Sequence, residues 1–287
     1  MRVHTHKYST KYSAHTRIQR EDANSCVKVQ SISFAYDKNQ AVLNQLSFSL
    51  PSKGITVLLG PNGCGKTTLL NCIAGILKPQ SGTIHINDCN CATMNPRQYS
   101  LHLSYLTQIQ NVSHDFKVLD YVVLGCAPRL PFASQPKQSH YEQAQAILEE
   151  MGIQHLTHKA CNQISGGELQ LAQIARTLMQ ETNIILMDEP TNHLDYGNQI
   201  RVLKLISELA NKGYSILMTS HMPDHAIYLN ANVAYFNRDG NFFCGNANEA
   251  LTRQTLSDLY AEEIDLFWVD KYERSVCIPS GVCSCNN

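Results

Sequence analysis

Apolar and polar residues follow two different periods along this chain. Near the start, alternation with a period of two predicts β-strands at 27–29, 32–36 and 46–50. Short runs of apolar residues predict buried strands at 55–59, 183–187 and 215–220. Strands that alternate with helices indicate an α/β fold with a mainly parallel sheet, and the early strands add an antiparallel part.

Residues three or four positions apart mark the helices between these strands. Leu69, Leu70, Ile73, Ile76 and Leu77 predict a helix that ends at Lys78-Pro79. Further helices are predicted around 144–151, closed by Gly152, around 171–178 and around 200–209, closed by Gly213. Strands are also predicted at 83–86 and 99–108, and Asp239-Gly240 indicates a hairpin turn between 233–236 and 242–244.

The run after the strand at 55–59 fits the phosphate-binding pattern G-x-x-x-x-G-K-[ST]. Its residues are Gly60, Pro61, Asn62, Gly63, Cys64, Gly65, Lys66, Thr67 and Thr68. Glycines let backbone N–H groups surround an anion, and the following helix adds positive potential at its start. We expect Lys66 to reach the β- and γ-phosphates of a nucleotide and the Thr67 hydroxyl to bind Mg²⁺.

Further polar groups stand where other predicted elements begin or end. Asp188 and Glu189 end a strand, where open α/β sheets bind ligands, and His221 follows another strand. Ser165 and Glu168 form a capping-box pattern at the start of a helix, and Asp195 precedes the next helix as a possible N-cap. Taken alone, Ser165 with Glu168 indicates only a capped helix, and His221 indicates a structural histidine.

Composition narrows the class of protein. The 287 residues are 43% hydrophobic and 16% charged, as expected for a globular protein with a sizeable core. A net charge of −1 argues against a nucleic-acid partner. The polar N-terminus lacks the apolar region of a secretory signal, and apolar runs fall short of a membrane span. We therefore expect a cytosolic protein with reduced thiols.

Together these motifs resemble the nucleotide-binding subunit of ATP-binding-cassette (ABC) transporters, over roughly 27–260. The run 197–201 and the run 218–226 look most like the importers of iron complexes, haem, cobalamin and oxyanions such as molybdate. The resemblance implies a P-loop NTPase cassette with a helical subdomain inserted at about 94–180. We expect a polar, disordered extension at 1–26 and a C-terminal extension at 261–287.

The resemblance also implies roles for individual residues. Asp188 resembles the carboxylate that holds Mg²⁺ through water, and Glu189 the general base. Gln108 looks like the glutamine that reaches Mg²⁺, and His221 the switch histidine at the γ-phosphate. Tyr36 resembles the aromatic that stacks on adenine, although a core aromatic would fit the same pattern.

The family's composite site involves further positions. Ser165, Gly166, Gly167 and Glu168 look like the signature that faces the nucleotide of a second subunit, with Glu168 where the commonest form has Gln. Asp195 resembles the loop that touches the other subunit's site. These similarities imply ATP and Mg²⁺, an ATP-sandwich homodimer, membrane permease subunits and, indirectly, a substrate-binding protein. The expected location is the cytoplasmic face of the inner membrane, through the permease.

Other functions share some of these motifs. A soluble ABC ATPase acting on nucleic acid or ribosomes, or an exporter ATPase, is the alternative, whereas a small-molecule kinase would not explain Ser165-Gly166-Gly167. Several cysteines and N-terminal histidines could bind a metal but lack the spacing of a structural zinc site: Cys89, Cys91, Cys277, Cys283, Cys285, His4, His6 and His15. Cys64 is predicted either as an activated thiol beside Lys66 or as a small space-filling residue.

Overall fold

A computed structural model describes residues 25–37, 40–108, 115–131, 133–236 and 242–280. The strands are β1 (Ser25–Asp37), β2 (Gln40–Pro51), β3 (Gly54–Leu59), β4 (Ser81–Ile86), β5 (Cys89–Asn90), β6 (Leu103–Leu106), β7 (Ile184–Met187), β8 (Ser215–Ser220), β9 (Asn232–Phe236), β10 (Phe242–Asn246), β11 (Ile264–Val269) and β12 (Arg274–Pro279). The helices are α1 (Lys66–Ile73), α2 (Pro96–His102), α3 (Val118–Val123), α4 (Gln138–Glu150), α5 (Gly166–Leu178), α6 (Tyr196–Asn211), α7 (Pro223–Tyr228), α8 (Ala247–Ala250) and α9 (Arg253–Tyr260). The segment 1–26, predicted to be disordered, lies outside the described residues except for its last two positions. The predicted turn at Asp239-Gly240 lies wholly outside them.

A six-stranded sheet forms the centre of the molecule, in the order β10-β9-β3-β8-β7-β6. Its neighbours pair in parallel except β10 with β9. A second, antiparallel sheet has the order β2-β1-β4-β5. The predicted α/β class, with a mainly parallel sheet and an antiparallel part from the start of the chain, is confirmed.

Two hydrophobic cores cover the faces of the central sheet. Successive residues of a strand point to opposite faces, so Val57 and Leu59 lie in one core and Leu58 in the other. The core around Leu58 is shared with the antiparallel sheet and α1. The core around Val57 is shared with α5, α6 and most of the remaining helices. The sheet is therefore buried on both sides, and its polar groups are concentrated where the strands end.

The helical insertion lies between β6 and β7, where α3, α4 and α5 pack against one another. The start near 94 stays a prediction, and β6, which follows it, pairs with β7 inside the central sheet. The predicted strand over 99–108 is partly wrong, since α2 occupies 96–102. Asn95 and Gln98 form a capping box around Pro96 at the first helical position, and these residues end the extended conformation there.

The helix after the phosphate-binding loop is shorter than predicted. It ends at Ile73, and Gly75 follows with φ of 73°. A Cβ at Gly75 would lie 2.6 Å from the Tyr99 ring of α2, so the close approach of these two segments also favours glycine. Ile76 is consequently 61% exposed instead of lying on the buried face.

The C-terminal part contains an element that the sequence does not reveal. β11 and β12 pair antiparallel as a separate two-stranded ribbon, which packs on α7. The predicted hairpin of β9 with β10 is present, with Phe236 opposite Phe242. Within the described ranges, no helix combines the length and apolarity needed to cross a membrane.

Candidate nucleotide and catalytic site

The phosphate-binding loop joins the end of β3 to the start of α1. Gly65 is the N-cap of α1 and has a left-handed conformation with φ of 102°. A Cβ there would lie 3.1 Å from Val42 Cγ1, so both the backbone angle and the packing on β2 favour glycine. The loop thus turns directly into the helix, whose first backbone N–H groups have no acceptor within the helix itself.

Lys66 is buried at the centre of this loop. Its Nζ donates hydrogen bonds to the carbonyl oxygens of Gly60 at 2.7 Å and Pro61 at 2.9 Å. It also lies 3.8 Å from Glu189 Oε1. The side chain is only 5% exposed, so its ammonium is held among oxygens at one place. A cation fixed there suits phosphate oxygens.

Asp188 connects the loop to two neighbouring strands. Thr67 Oγ1 donates to Asp188 Oδ2 at 2.8 Å, and Thr219 Oγ1 donates to Asp188 Oδ1 at 2.7 Å. The Asp188 backbone N–H donates to Leu106 O of β6. A carboxylate and a hydroxyl in contact are the hard oxygen ligands that Mg²⁺ prefers, and Mg²⁺ is usually held by one or two carboxylates together with substrate phosphates. These residues therefore fit that ion.

Glu189 is held in an unusual backbone conformation beside Lys66. Its φ is 47°, in the left-handed region, and its N–H donates to Thr219 Oγ1 at 2.7 Å. Asn192 Nδ2 donates to Glu189 Oε2 at 2.8 Å, and His221 Nδ1 lies 3.8 Å from the same oxygen. The carboxylate is thereby fixed between Lys66 and His221. A left-handed glutamate costs energy, and its presence at such a place points to function.

Two other predicted residues lie at this edge of the sheet. His221 directly follows β8, and its side chain is 46% exposed. Gln108 is exposed, two residues beyond β6. No hydrogen bond joins Gln108 to Asp188 or Thr67 among the described residues. The fold thus brings Lys66, Thr67, Asp188, Glu189 and His221 together and leaves Gln108 at the margin.

Comparison with known proteins identifies the family. The family model described as ABC transporter matches residues 43–192, which include the loop, Ser165 to Glu168 and Glu189. The chain belongs to the ABC transporter family. Its cassette is therefore an ATPase domain that binds ATP.

Individual relatives support this assignment over most of the chain. An iron chelatin transport ATP-binding protein of Helicobacter pylori is 34% identical over 247 residues, covering 85% of this chain and 96% of that protein. A molybdate import ATP-binding protein of Haemophilus influenzae is 30% identical over 238 residues, covering 83% and 88%. The solved structure of a metal-chelate type ABC transporter in an inward-facing conformation matches with a TM-score of 0.79 and 28% identity, covering 90% of this chain and 99% of that chain.

Tyr36 of this ABC ATPase lies beside the phosphate-binding loop. Its side chain is 62% exposed, which excludes the core-aromatic interpretation. The hydroxyl is 3.2 Å from Thr68 Oγ1, and the ring meets Phe34 edge to face at 5.0 Å between centroids. An exposed ring fixed against α1 is suited to stacking on a flat base.

The start of α5 lies apart from this cluster. The predicted capping box is confirmed, since Ser165 N–H and Oγ donate to Glu168 Oε2 at 2.8 and 2.9 Å. These bonds, from the backbone first, lower the pKa of Glu168. Ser165 and Gly166 are exposed, and nothing lies within 4 Å of a Cβ built on Gly166.

The first turn of α6 packs against the start of α5. A Cβ on Gly167 would lie 2.5 Å from the Asn198 side chain of α6, so the close packing of α6 on α5 favours glycine at position 167. Asp195 caps α6, accepting from Asn198 N at 2.9 Å and from Asn198 Nδ2 at 2.7 Å. The bond from the Asn198 backbone is the main cause of the lowered pKa of Asp195. The N-cap prediction is confirmed. Asp195 also fixes the side chain of Asn198, which packs against Gly167.

The prediction of an activated Cys64 thiol is wrong. Burial raises the pKa of this thiol, and the opposing effect of Lys66 is smaller. The space-filling interpretation remains, since the Cys64 side chain packs against Gly60, where an added Cβ would lie only 2.7 Å from Cys64 Sγ. Of the cysteines and histidines considered for metal binding, His4, His6, His15, Cys283 and Cys285 fall outside the described residues.

Sequence reasoning misses Thr219, which links Asp188 to the Glu189 backbone. A threonine near the end of an apolar strand has no signal of its own, although its place two residues before His221 is a clue. It also misses the loop around Ser220. Ser220 Oγ accepts from Met222 N–H at 3.0 Å and lies 2.9 Å from His225 Nδ1. Burial, with the nearby His221, lowers the pKa of His225 to about 4.

Proposed function

We propose that this ABC ATPase energises the uptake of a metal chelate, an iron–siderophore complex above all, by hydrolysing ATP beside a membrane permease. The iron chelatin and metal-chelate relatives support that cargo. The molybdate relative keeps an oxyanion as a second candidate, and haem and cobalamin are further members of the class. The import relatives favour this function over export or work on nucleic acid, and the net charge of −1 separately argues against a nucleic-acid partner.

The observation that carries the proposal is the position of Glu189. Its backbone is fixed by Thr219, and its carboxylate lies between Lys66 and His221. In the proposed reaction Glu189 is the general base that takes a proton from the attacking water. His221 orients that water, and Lys66 stabilises charge on the phosphate oxygens. Tyr36 stacks on the adenine, and the loop from Gly60 to Thr68 binds the phosphates through its N–H groups.

Mg²⁺ is proposed to bind at Thr67 and Asp188, with Gln108 as a third contact. Bound there, the ion would neutralise charge on the phosphate oxygens. Asp188 has a second task, because it accepts a hydrogen bond from Thr219 and so helps to fix Glu189. Thr219 thus links the position of the Asp188 carboxylate to the position of the Glu189 backbone.

A second copy of the chain is proposed to complete each site. Ser165, Gly166, Gly167, Glu168 and Asp195 would face the nucleotide bound by the partner, where the exposed start of α5 offers N–H groups to an anion. ATP would favour the closed dimer because it is bound from both sides there, and hydrolysis would release it. That cycle of closing and opening would drive the permease.

The permease contact is proposed near residues 108–129. Leu101 and Leu124 are 50% and 40% exposed on two segments that pack together, α2 and the turn after α3. Arg97 fixes these segments by donating to Leu130 O at 2.7 Å. We place the protein at the cytoplasmic face of the inner membrane, held by its permease, with a substrate-binding protein as an indirect partner. Co-purification of the permease from membranes would identify the cargo.

The experiment that tests the mechanism is Glu189→Gln. Loss of a positioned general base lowers turnover by about 10²–10⁴-fold. ATP binding is retained, so the variant should accumulate as a stable dimer when ATP is added. The measurement is size-exclusion chromatography with light scattering, with and without ATP, alongside steady-state hydrolysis.

A second substitution provides the control. Adding Ser165→Arg should abolish the ATP-dependent dimer, since a long side chain would enter the shared phosphate site. Ser139→Arg, at an exposed serine of α4, should leave the dimer unchanged. A Glu189→Gln protein that stays monomeric at saturating ATP, or that hydrolyses at the wild-type rate, would exclude the composite-site mechanism.

A further inference from the structure

The C-terminal ribbon of β11 and β12 lies against α7, the helix that directly follows the His221 loop. One side of the ribbon carries Ile264, Leu266 and Cys277, which pack on the main core. The ribbon is therefore anchored to the body of the protein. At the same time it touches the segment that the proposed mechanism uses to orient water.

A hydrogen bond joins the ribbon to that segment. The backbone N–H of Cys277 in β12 donates to Asp224 Oδ1 at 3.0 Å. Burial and the Asp224 carboxylate raise the pKa of the Cys277 thiol to about 12, so this neutral thiol adds a donor beside the same carboxylate. At the far end of α7, the Arg274 guanidinium lies 5.2 Å from the centroid of the Tyr228 ring. β12 thus holds α7 at both ends.

His221 lies between two fixed points. Ser220 fixes the start of its loop through the bonds to Met222 and His225. The other end enters α7 at Pro223 and Asp224, where β12 holds it. The His221 side chain is 46% exposed, and its Nδ1 lies 3.8 Å from Glu189 Oε2. The backbone on both sides of His221 is thus held by other residues, and this backbone sets the direction in which the side chain leaves the chain.

Tyr260 precedes the ribbon at the end of a neighbouring helix. It ends α9, a few residues before β11, and its buried hydroxyl lacks a hydrogen-bond partner among the described residues. Burial raises the pKa of Tyr260, with smaller effects from Cys277, Cys64 and Asp224.

We propose that the C-terminal ribbon positions the switch histidine, and that Asp224 is the positioning residue through which it does so. The ribbon fixes the first turn of α7, and this turn fixes the backbone that aims His221 at the water beside Glu189. The inference rests on the proposed role of His221. Loss of the Asp224–Cys277 bond should leave nucleotide binding intact and impair the chemical step.

The test compares Asp224→Ala with Asp224→Asn in the full chain. Alanine removes the acceptor for the Cys277 N–H, whereas asparagine keeps a side-chain oxygen at the same place. Asp224→Ala should lower kcat for ATP hydrolysis by about tenfold while the KM for ATP stays within about twofold. Asp224→Asn should restore most of the rate. Thr252→Ala is the control, because it removes the N-cap of neighbouring α9 without touching α7.

A double substitution shows whether Asp224 acts through His221. The protein with both Asp224→Ala and His221→Ala should hydrolyse ATP at the rate of His221→Ala alone, because a residue that only aims His221 has nothing left to aim. Hydrogen exchange of 219–228 should increase in Asp224→Ala and not in Thr252→Ala. A wild-type rate in Asp224→Ala, a further tenfold loss in the double variant, or equal exchange in the two proteins overturns the inference. A wild-type rate in His221→Ala would instead refute the proposed role of His221 and the inference with it.

Discussion

The end of the central sheet and the start of α5 both carry polar groups proposed to meet ATP, but these groups are held in different ways. At the sheet, hydrogen bonds join residues far apart in sequence, with separations of 121 for Thr67 to Asp188 and 31 for Asp188 to Thr219. At α5, Ser165 and Glu168 bond each other across three residues.

Exposure differs in the same way. Lys66, Asp188 and Thr219 are 5%, 3% and 0% exposed, whereas Ser165 and Gly166 are exposed. The first cluster exists only when several strands are in place, and each substitution there leaves a buried partner unpaired. The second is a local structure that a helix start forms by itself. Function and stability should therefore be coupled at the sheet and separable at α5.

Lys66→Ala should have a larger effect than Thr219→Val, Ser165→Ala or His225→Gln, because it removes a buried cation. Hydrogen bonds to charged groups contribute about 1.5–3 kcal/mol each, so ATP binding or hydrolysis should fall by about 10²-fold or more. Fluorescent-nucleotide binding and steady-state hydrolysis measure this. Lys53→Ala, at an exposed lysine in the turn before β3, is the control and should retain the wild-type rate. Unchanged hydrolysis in Lys66→Ala would refute the site assignment.

Thr219→Val and Ser165→Ala each remove one hydroxyl, one from each region. The first leaves the Glu189 N–H without its acceptor and Asp188 Oδ1 without its donor, while Thr67 still donates to Asp188 Oδ2, and we expect the free energy of unfolding to fall by about 1–3 kcal/mol. Hydrolysis should fall by about tenfold with it, since Glu189 loses its fixed position. Ser165→Ala should cost about 1 kcal/mol, as for the loss of a helix cap.

Urea unfolding and steady-state hydrolysis separate these two effects. Thr219→Ser keeps the hydroxyl and should recover most of both quantities. Should Thr219→Val turn over ATP normally while unfolding more easily, the bond to Glu189 would be structural only.

His225→Gln should have the smallest effect, visible only as a change in pH dependence. Burial lowers the pKa of His225 to about 4 from an ordinary 6.5. Between these values the unfolded chain binds a proton that the folded protein does not, so stability falls as pH falls from 6.5 towards 4. The slope is at most about 1.4 kcal/mol per pH unit, and glutamine should remove it.

Urea unfolding at pH 7 and pH 5.5 checks this prediction. The loss between the two pH values should be about 1.2 kcal/mol smaller in His225→Gln than in wild type. His158→Gln, at an exposed histidine, should keep the wild-type loss. Equal losses in His225→Gln and wild type would mean that the buried histidine does not resist protonation.

The contrast between the regions also explains what could be predicted from the sequence. The capping box at Ser165, the N-cap at Asp195 and the strand before the phosphate-binding loop all depend on residues within a few positions of one another. Their physics is local, so the pattern suffices. The α/β class follows similarly from the order of periodic segments, although the bounds of α1 and α2 do not.

The errors have tertiary causes. The helix after the loop stops early where Gly75 meets the Tyr99 ring, a contact between segments that no pattern reveals. The pKa of Cys64 is set by burial more than by Lys66, and burial depends on the whole fold. Thr219 and the C-terminal ribbon act only through partners in other strands and helices.

The order of strands in the central sheet has a consequence for the dimensions of the site. β3, β8, β7 and β6 are neighbours, and their ends deliver in turn the phosphate-binding loop, His221, Asp188 with Glu189, and Gln108. Neighbouring strands lie about 4.8 Å apart, so the row spans about 14 Å. Backbone hydrogen bonds set that spacing whatever the side chains are. Substitutions can therefore change which chemical group stands at the end of each strand, but they do not change the distance between the strand ends.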